Sequence, residues 1–445
     1  MVQAKKPRIL YMLGWFYPDS VGGSEYYVYL LAKEVQASGW EVMIAAPSVD
    51  EKEDNYAYEG LSVYRYPVSL KPTRLEVRGE TLPKYFDVFA NWLKNYKPDI
   101  VHMHSYTRGC GFFHAQFVKQ LRISLIFTVH IPGLTCVRGT LMRWGKIPCD
   151  GQMRLYRCGA CYLEKQGLSK YAALAISAIS TFTVKLSNNP ENRLGTALGI
   201  KRLVSIRKER IQQLFNLADG IVLVSKWLYG VFRINGIPDA KLSLCRHGLP
   251  PELINSRPRF DTKVSKPIRI GYLGRFDPFK GVHVLVEAIK RLPLDIPIEL
   301  RLYGRVNDEE GQAYLKKLQK TGNHDSRILF CGEVTDKDYP EIFNNLDILA
   351  VPSLWLETGP LVVLEAFAAG IPVMGSNLGG ISELVTNGVN GILLEPGSIK
   401  AWSNAIQQLC LYPESLKDWV RGIPPVRSNS EVVGQMLKLY ENFVG

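Results

Sequence analysis

Short apolar segments typical of buried strands alternate with helical segments along almost the whole chain. For example, residues 8–13 and 268–273 are strand-like, and each is followed by an amphipathic helical segment, 24–37 and 282–292. This alternation predicts parallel sheets with helices on both faces, because parallel strands need a crossover connection. A chain of 445 residues is too long for one ordinary core. We therefore predict an α/β protein with two doubly wound parallel-sheet domains.

Two carboxylates, Glu357 and Glu365, lie eight positions apart in the second half of the chain. A turn is expected to carry Glu357, and an apolar helix that starts near Leu361 carries Glu365. Eight residues are slightly more than two helical turns, so Glu365 lies on the face that looks back toward Glu357. The helix start would offer backbone amides of Gly359, Leu361 and Val362 to an anion. This layout suits a polyol linked to a phosphate and predicts a nucleotide-sugar site.

A second segment supplies cations. Arg275 and Lys280 follow the predicted strand 268–273 and precede the helix 282–292. An arginine presents a planar fork and a lysine a point charge, and both suit a diphosphate.

With both segments in this order, the sequence resembles the retaining GT-B glycosyltransferases of family 4. That family carries G-R-x4-K-G after the first strand of its C-terminal domain and E-x7-E further along. The resemblance covers nearly the whole chain. It implies the GT-B fold, in which two Rossmann-like domains face a central cleft.

The resemblance also implies a role for each charged residue. Arg275 and Lys280 neutralise the leaving diphosphate, Glu365 binds the ribose hydroxyls, and Glu357 binds sugar hydroxyls rather than attacking the anomeric carbon. The leaving phosphate takes the acceptor's proton on the same face. Two cations and a helix start replace a catalytic metal, so no cofactor is required for catalysis.

Gly22 and Gly23 lie between the first strand and its helix. Glycines in this position let a phosphate approach the backbone, and Ser24 could cap the helix. In the family this loop lies close to the donor diphosphate and the acceptor. A tight turn without a ligand is the alternative interpretation.

Three further residues are expected at the donor nucleotide. Tyr303 and Gly304 end the second strand of the second domain and would border the nucleotide. Val334 belongs to a segment, 332–334, that matches the family segment whose backbone contacts the uracil.

His130 ends a predicted strand and is followed by Ile, Pro and Gly. This position matches a family motif whose histidine lies beside the transferred sugar, which implies hydrogen bonds to that sugar. His102 and His104 share one face of the preceding strand. They are interpreted as packing or acceptor contacts, since no third metal ligand is evident.

Four cysteines follow His130 with the spacing C-x12-C-x8-C-x2-C, namely Cys136, Cys149, Cys158 and Cys161. In a cytoplasmic chain this pattern favours a structural zinc site. A pair of disulfides and four free thiols are the alternatives. Four thiolates would leave no position for a catalytic water, so a zinc here would be structural.

The net charge of +12 needs a separate interpretation. We expect no nucleic-acid partner, because the basic residues are spread out and no helix-turn-helix or RNP-like motif is present. Basic residues are enriched in 185–210, which indicates either a solvated helix face or peripheral contact with an anionic membrane surface. No apolar run reaches the roughly 18–20 residues of a membrane span, and the start of the chain lacks a signal-peptide core. The expected location is the cytoplasm, including the inner face of the membrane.

These observations predict three regions. Residues 1–248 form an acceptor-side domain that contains a cysteine-bearing insertion at about 131–168. Residues 249–424 form the nucleotide-sugar domain, and 425–445 hold a helix that crosses back to the first domain.

The predicted activity is retaining transfer of a hexose from a nucleoside-diphosphate sugar, UDP-glucose being the expected donor. The acceptor would be a glycan or a lipid-linked sugar in polysaccharide biosynthesis. A sugar-nucleotide epimerase or hydrolase and a non-catalytic UDP-sugar sensor are the alternatives.

Overall fold

The chain divides into two compact units, each built around its own parallel sheet. Residues 6–20, 22–180, 193–255, 267–306, 308–335 and 338–444 are described by a computed structural model. Unit 1 comprises residues 1–247 and 430–445, and unit 2 comprises residues 248–429.

Unit 1 contains ten strands. They are β1 (Arg8–Met12), β2 (Glu41–Pro47), β3 (Asp54–Tyr58), β4 (Leu61–Tyr66), β5 (Ile100–Met103), β6 (Ser124–Val129), β7 (Met142–Arg143), β8 (Ile147–Pro148), β9 (Gly220–Leu223) and β10 (Leu242–Leu244). Eight of them form one sheet in the order β10-β9-β6-β5-β1-β2-β4-β3, in which only the edge pair β3–β4 is antiparallel. The remaining two, β7 and β8, form a small hairpin inside the insertion.

The described residues of unit 1 up to residue 247 form nine helices. They are α1 (Gly23–Ala37), α2 (Arg74–Val77), α3 (Phe86–Tyr96), α4 (Phe112–Gln120), α5 (Leu155–Lys165), α6 (Lys170–Ile179), α7 (Arg193–Leu198), α8 (Ile200–Leu217) and α9 (Lys226–Ile234). The central strand β1 is covered on both faces, since Ile9, Leu10, Tyr11 and Met12 have no exposed surface. Such an unbroken apolar run is typical of a strand buried between two helical layers.

Unit 2 has a six-stranded, fully parallel sheet in the order β13-β12-β11-β14-β15-β16. Its strands are β11 (Ile268–Leu273), β12 (Ile298–Tyr303), β13 (Ile328–Gly332), β14 (Ile348–Val351), β15 (Val373–Ser376) and β16 (Gly391–Leu394). Its helices are α10 (Pro251–Asn255), α11 (Val282–Lys290), α12 (Glu309–Gly322), α13 (Tyr339–Asn344), α14 (Leu361–Ala368), α15 (Gly379–Leu384), α16 (Ile399–Leu411) and α17 (Ser415–Arg421). The strand order reverses at β11 and β14, and ligands of open α/β sheets bind at the carboxyl ends of strands beside such a reversal.

The last helix, α18 (Asn429–Glu441), packs on unit 1. Its Tyr440 is fully buried, and the hydroxyl lies 3.2 Å from that of Tyr11 and 2.8 Å from Nδ1 of His102. The end of the chain is therefore fixed to β1 and β5 by a buried polar network as well as by apolar packing.

Candidate functional site

The loop after β11 and the loop after β14 are packed tightly together. Gly281 has φ +72°, and a Cβ atom there would lie 2.1 Å from the carbonyl oxygen of Pro352. Only glycine satisfies both conditions. The amide of Leu354 donates to the carbonyl of Phe279 over 2.7 Å. The two segments predicted to hold the donor are thus fixed against each other by the backbone.

Lys280 and Glu357, one from each loop, form an ion pair. The Nζ atom lies 2.7 Å from Oε1 of Glu357. Ser353 Oγ and Trp355 Nε1 donate to the same oxygen over 2.7 and 2.8 Å. Burial alone would raise the pKa of Glu357, but the Lys280 charge and these hydrogen bonds outweigh it and lower the pKa. Glu357 is therefore held as a carboxylate, although only 8% of its surface is exposed.

Ser353 and Trp355 are further residues of this site that the sequence motifs do not include. The Lys280 ammonium also lies 5.8 Å from the centre of the Trp355 ring. A signal was available, because Ser353, Trp355 and Glu357 alternate with apolar residues in S-L-W-L-E. Alternate residues of an extended segment share one face.

Arg275 differs from Lys280 in having an exposed side chain. Within the described parts of the chain, no hydrogen bond or ion pair involves its guanidinium, while its carbonyl accepts a hydrogen bond from the Tyr272 hydroxyl over 2.6 Å. The backbone is thus anchored and the charged group is available to an anion.

Glu365 lies on α14, which begins at Leu361 as predicted. The helix buries Val363, Leu364 and its last three residues, whereas Leu361, Val362 and Glu365 keep partial access to solvent. Positions 361, 362 and 365 fall on one helical face. Glu365 therefore lies on the partly exposed face of α14, together with the side chains of Leu361 and Val362. Pro360 precedes the helix and contributes no amide hydrogen.

The carboxyl ends of β11, β12 and β13 border a pocket of about 400 Å³. Gly304 and Gly332 line it together with Phe276, Arg305 and Glu333. A Cβ atom at Gly304 would lie 2.0 Å from the Gly274 carbonyl oxygen, so close strand-end packing requires glycine there. Tyr303 and Val334, in contrast, pack partly buried against the apolar cluster that contains α13 and α14.

The Gly22–Gly23 loop differs from expectation. Helix α1 begins at Gly23 with Gly22 as its N-cap, so the prediction that Ser24 caps it is wrong. Ser24 and Ser20 instead donate to the carboxylate of Glu25, which is only 7% exposed. A Cβ atom on Gly22 would meet Glu25 Oε2 at 2.7 Å. A buried carboxylate thus lies over the loop that was predicted to contact a phosphate.

In unit 1 the three histidines singled out from the sequence lie together. His130 directly follows β6, and its Nε2 lies 2.9 Å from Nδ1 of His104. His102 is bonded to Thr128 as well as to Tyr440, over 2.7 and 2.8 Å. His247 stacks on His130 with ring centres 5.9 Å apart. His102 is therefore a packing residue, and His104 contacts His130 directly.

The surroundings of His102, His104 and His130 favour their neutral forms. Burial lowers the pKa of His102, His104 and His130 well below the usual range, and the neighbouring imidazoles act in the same direction. The Nε2 atom of His104 is buried and has no hydrogen-bond partner among the described residues. The cluster can exchange hydrogen bonds with a neutral polyol but carries no charge.

Two of the four clustered cysteines accept hydrogen bonds from backbone amides. The thiol of Cys161 accepts a hydrogen bond from the Trp144 amide, and Cys158 accepts one from the Arg154 amide. Burial raises the pKa of Cys149 and of Cys158, which favours thiols over thiolates. Among the described residues, no group of three or more potential ligands is arranged to hold a metal ion. The zinc prediction thus finds no support in this arrangement, and the four clustered cysteines form no disulfide.

None of the helices in the described ranges combines the length and hydrophobicity that crossing a lipid bilayer requires.

Two family profiles match the chain, one in each unit. Residues 21–158 match the Glycosyltransferase Family 4 profile. Residues 256–424 match the profile described as Glycosyl transferases group 1. Together these profiles cover more than half of the chain. The chain belongs to the group 1 glycosyltransferases.

Individual relatives of this glycosyltransferase have low sequence identity to it and match only part of its length. An amylovoran biosynthesis glycosyltransferase, AmsK of Erwinia amylovora, is 26% identical over 48% of the chain and 53% of the relative. The chain spans about a third to a half of the length of the curated relatives that it matches.

Solved structures confirm the GT-B fold across nearly the full length. A sucrose-phosphate synthase from Thermosynechococcus elongatus has a TM-score of 0.67 at 20% identity, covering 98% of this chain and 99% of the other. HepE of Anabaena, crystallised with UDP-glucose, has a TM-score of 0.62 at 16% identity, covering 98% and 99%.

Proposed function

We propose that this glycosyltransferase is a retaining enzyme that moves a hexose from UDP-glucose to a glycan or lipid-linked acceptor. The observation that carries the proposal is the Lys280–Glu357 pair, which lies on loops locked together at the carboxyl edge of the unit 2 sheet. This edge also carries the exposed Arg275 and the start of α14. A diphosphate needs cations and amides there, and the sugar attached to it needs hydrogen-bond acceptors such as Glu357.

In this proposal the cationic residues bind the diphosphate, and the carboxylates bind hydroxyl groups. Arg275 and Lys280 compensate the charge that develops on the diphosphate as the bond to the sugar breaks. Glu357 is held ionised by Lys280, Ser353 and Trp355, so it can accept hydrogen bonds from sugar hydroxyls. Glu365, on the open face of α14, accepts hydrogen bonds from the ribose. His130 binds the transferred sugar, and the leaving phosphate accepts the acceptor's proton on the same face.

Two comparisons support the choice of substrates. HepE has been crystallised with UDP-glucose, and AmsK is named for the biosynthesis of amylovoran. The pocket lined by Gly304 and Gly332, of about 400 Å³, is large enough to hold a nucleobase. The excess of positive charge is compatible with work at an anionic membrane surface.

A thermal-shift series with UDP-, GDP- and dTDP-sugars tests the donor, because a ligand that binds only the native state raises the unfolding temperature. UDP-glucose should give the largest shift. The shift should be lost in Glu365→Gln and kept in Glu341→Gln, which neutralises an exposed carboxylate of the same unit.

Product analysis then separates the alternatives. Consumption of UDP-glucose without any acceptor would indicate an epimerase or hydrolase, and binding without transfer to any glycan would indicate a sensor. Turnover should persist in EDTA, and a strict Mg²⁺ requirement would contradict the roles given to Arg275 and Lys280.

A further inference from the structure

A partly buried arginine on α8, Arg207, forms no ion pair with a carboxylate of the described residues. Arg207 donates from Nη2 to the carbonyl of Gly133 over 2.7 Å. Its Nε is buried and has no hydrogen-bond partner among the described residues. A guanidinium that is partly shielded from water and has no anion beside it can be compensated by the negative charge of a bound ligand.

The electrostatic surroundings of Arg207 are consistent with this geometry. Burial lowers the pKa of the guanidinium, while Tyr106 and Cys136 act weakly in the opposite direction. The adjacent carboxylate in sequence, Glu209, is exposed and accepts a hydrogen bond from the Ser205 hydroxyl over 2.6 Å. The described residues therefore provide no carboxylate that pairs with Arg207.

A second arginine lies beside the first. Arg210 stands over the Phe112 ring, with its guanidinium carbon 4.6 Å from the ring centre, and donates to Gln213 over 2.9 Å. Both arginines lie close enough to Tyr106 to influence the pKa of its phenol. Burial raises the pKa of that phenol, and the two guanidinium charges oppose the rise. Two cations thus share one neighbour, and neither forms an ion pair within the described ranges.

The pair lies where a ligand of unit 1 is expected. Tyr106 follows β5, and Gly133 follows β6 in the same loop as His130. These are the carboxyl ends of adjacent parallel strands, the edge at which open α/β sheets bind ligands.

We propose that Arg207 and Arg210 bind a phosphate ester carried by the acceptor. Two fixed cations match a phosphate monoester, which carries about −1.5 to −2 charges at neutral pH, or a diphosphate. Arginine forks also fit phosphate oxygens in pairs. A soluble sugar phosphate and a lipid-linked phosphate share this chemistry. The assignment of the ligand as the acceptor rests on the proposed function, whereas the anion site itself does not.

The test is calorimetric binding of inorganic phosphate and of glucose 1-phosphate to the full chain saturated with UDP. Saturation keeps Arg275 and Lys280 occupied, so the remaining binding reports on unit 1. Arg207→Met should weaken binding at least about tenfold, as expected for a lost charged hydrogen bond. Arg202→Met removes an exposed charge from the same helix and should change binding less than about twofold.

Stability gives a second, independent readout. If the Arg207 charge is uncompensated, Arg207→Met should not lower the unfolding temperature without ligand. Phosphate should stabilise the wild type and not this variant. Should Arg207→Met not fold, Arg207→Lys serves instead, because it keeps the charge and loses the paired geometry. Equal phosphate affinity in the wild type and the variants, or no binding by the wild type, would overturn the proposal.

Two further arms identify the source of the phosphate. Arg207-dependent binding to phosphatidylcholine vesicles that carry phosphatidic acid, stronger than binding to glucose 1-phosphate, indicates a lipid-linked acceptor. The reverse order indicates a soluble sugar phosphate. UDP-glucose binding should be the same in the wild type and in Arg207→Met. Failure of phosphate binding therefore removes this inference, whereas failure of UDP-glucose binding removes the proposed function.

Discussion

The Lys280–Glu357 pair of unit 2 and the cluster of His102, His104 and His130 in unit 1 differ in charge. The first is an ion pair with little exposure to solvent, and the second consists of imidazoles whose neutral forms are favoured. In unit 2 the charges are kept, and one carboxylate oxygen receives three hydrogen bonds. In unit 1 the charges are removed, since burial keeps His102, His104 and His130 neutral.

The difference indicates what each unit is prepared to bind. A preformed ion pair holds a lysine ready for an anion and a carboxylate ready for hydroxyls. Neutral imidazoles can bind hydroxyls, and they do not repel a cationic transition state as imidazolium ions would. Each prediction below tests one side of this contrast.

The largest effect is expected from the cations of unit 2. Lys280→Ala and Arg275→Ala should each cost about 2–4 kcal/mol of transition-state stabilisation. Their stabilities should differ. Lys280→Ala leaves Glu357 buried without its partner and should cost about 3–5 kcal/mol of unfolding free energy. Arg275 is exposed, so Arg275→Ala should change stability by less than about 0.5 kcal/mol.

Steady-state kinetics and urea denaturation of both variants measure these quantities. The double variant Lys280→Ala/Glu357→Gln should recover part of the stability and none of the activity. Wild-type turnover in either single variant would remove the diphosphate assignment, and equal stability of the two would show that the ion pair contributes little.

The next largest effect is a difference between Glu365 and Glu357 in their contributions to UDP affinity. Glu365→Gln should weaken UDP and UDP-glucose alike, by roughly 1.5–3 kcal/mol for a lost charged hydrogen bond. Glu357→Gln should leave UDP affinity nearly unchanged, weaken UDP-glucose and greatly reduce turnover. Gln is preferred to Ala because it preserves the packing against Ser353 and Trp355. Calorimetry with both ligands measures the difference, and equal losses of UDP affinity would show that the carboxylate roles are assigned wrongly.

The contrast also predicts the response to acid. His114, buried on α4, has its pKa lowered by burial to about 3. Such a histidine is neutral in the folded protein and becomes protonated in the unfolded chain as pH falls below its unfolded pKa of about 6.5. The unfolding free energy therefore decreases as pH falls below that value. The depressed pKa of Glu357 instead contributes stability above its unfolded value, and that contribution is lost only as pH falls through the lower folded value.

His114→Leu should therefore flatten the dependence of unfolding free energy on pH between about 6.5 and 5 by about 1.4 kcal/mol per pH unit. Glu357→Gln should leave that window unchanged and flatten the curve only at more acidic pH. Denaturation at several pH values checks both, and an unchanged slope in His114→Leu would mean that the imidazole is not buried neutral.

Sequence patterns predicted the central strands well because those strands are apolar on both faces. The predicted strand 268–273 and helix start at Leu361 coincide with β11 and α14. In contrast β3 was missed, since Asp54 and Asn55 are exposed at the sheet edge and give no apolar signal. Helix α8 begins at Ile200, within the segment that the sequence marked only as basic, because its basic residues obscured the apolar face that contains Val204 and Ile206.

The sequence indicated which residues belong to the candidate site, but it did not indicate which of them contact one another. Spacing indicated Lys280 and Glu357 separately, and no local pattern shows that these residues, 77 positions apart, form an ion pair. The buried Glu25 beside Gly22 was equally invisible, since its burial depends on how the side chain folds back over the loop.

The smallest effect concerns the cysteine insertion, where a zinc centre would break the contrast by placing thiolates in unit 1. The described residues contain no group of three or more potential metal ligands, so Cys158→Ser should change the unfolding free energy by less than about 1 kcal/mol. The zinc content of the purified protein should not depend on this residue. Elemental analysis and urea denaturation of the wild type and Cys158→Ser provide the measurement, with Cys331→Ser, an exposed thiol of unit 2, as the matched control. About one zinc per chain that is lost with Cys158 alone, together with a large loss of stability, would restore the metal site inferred from the spacing.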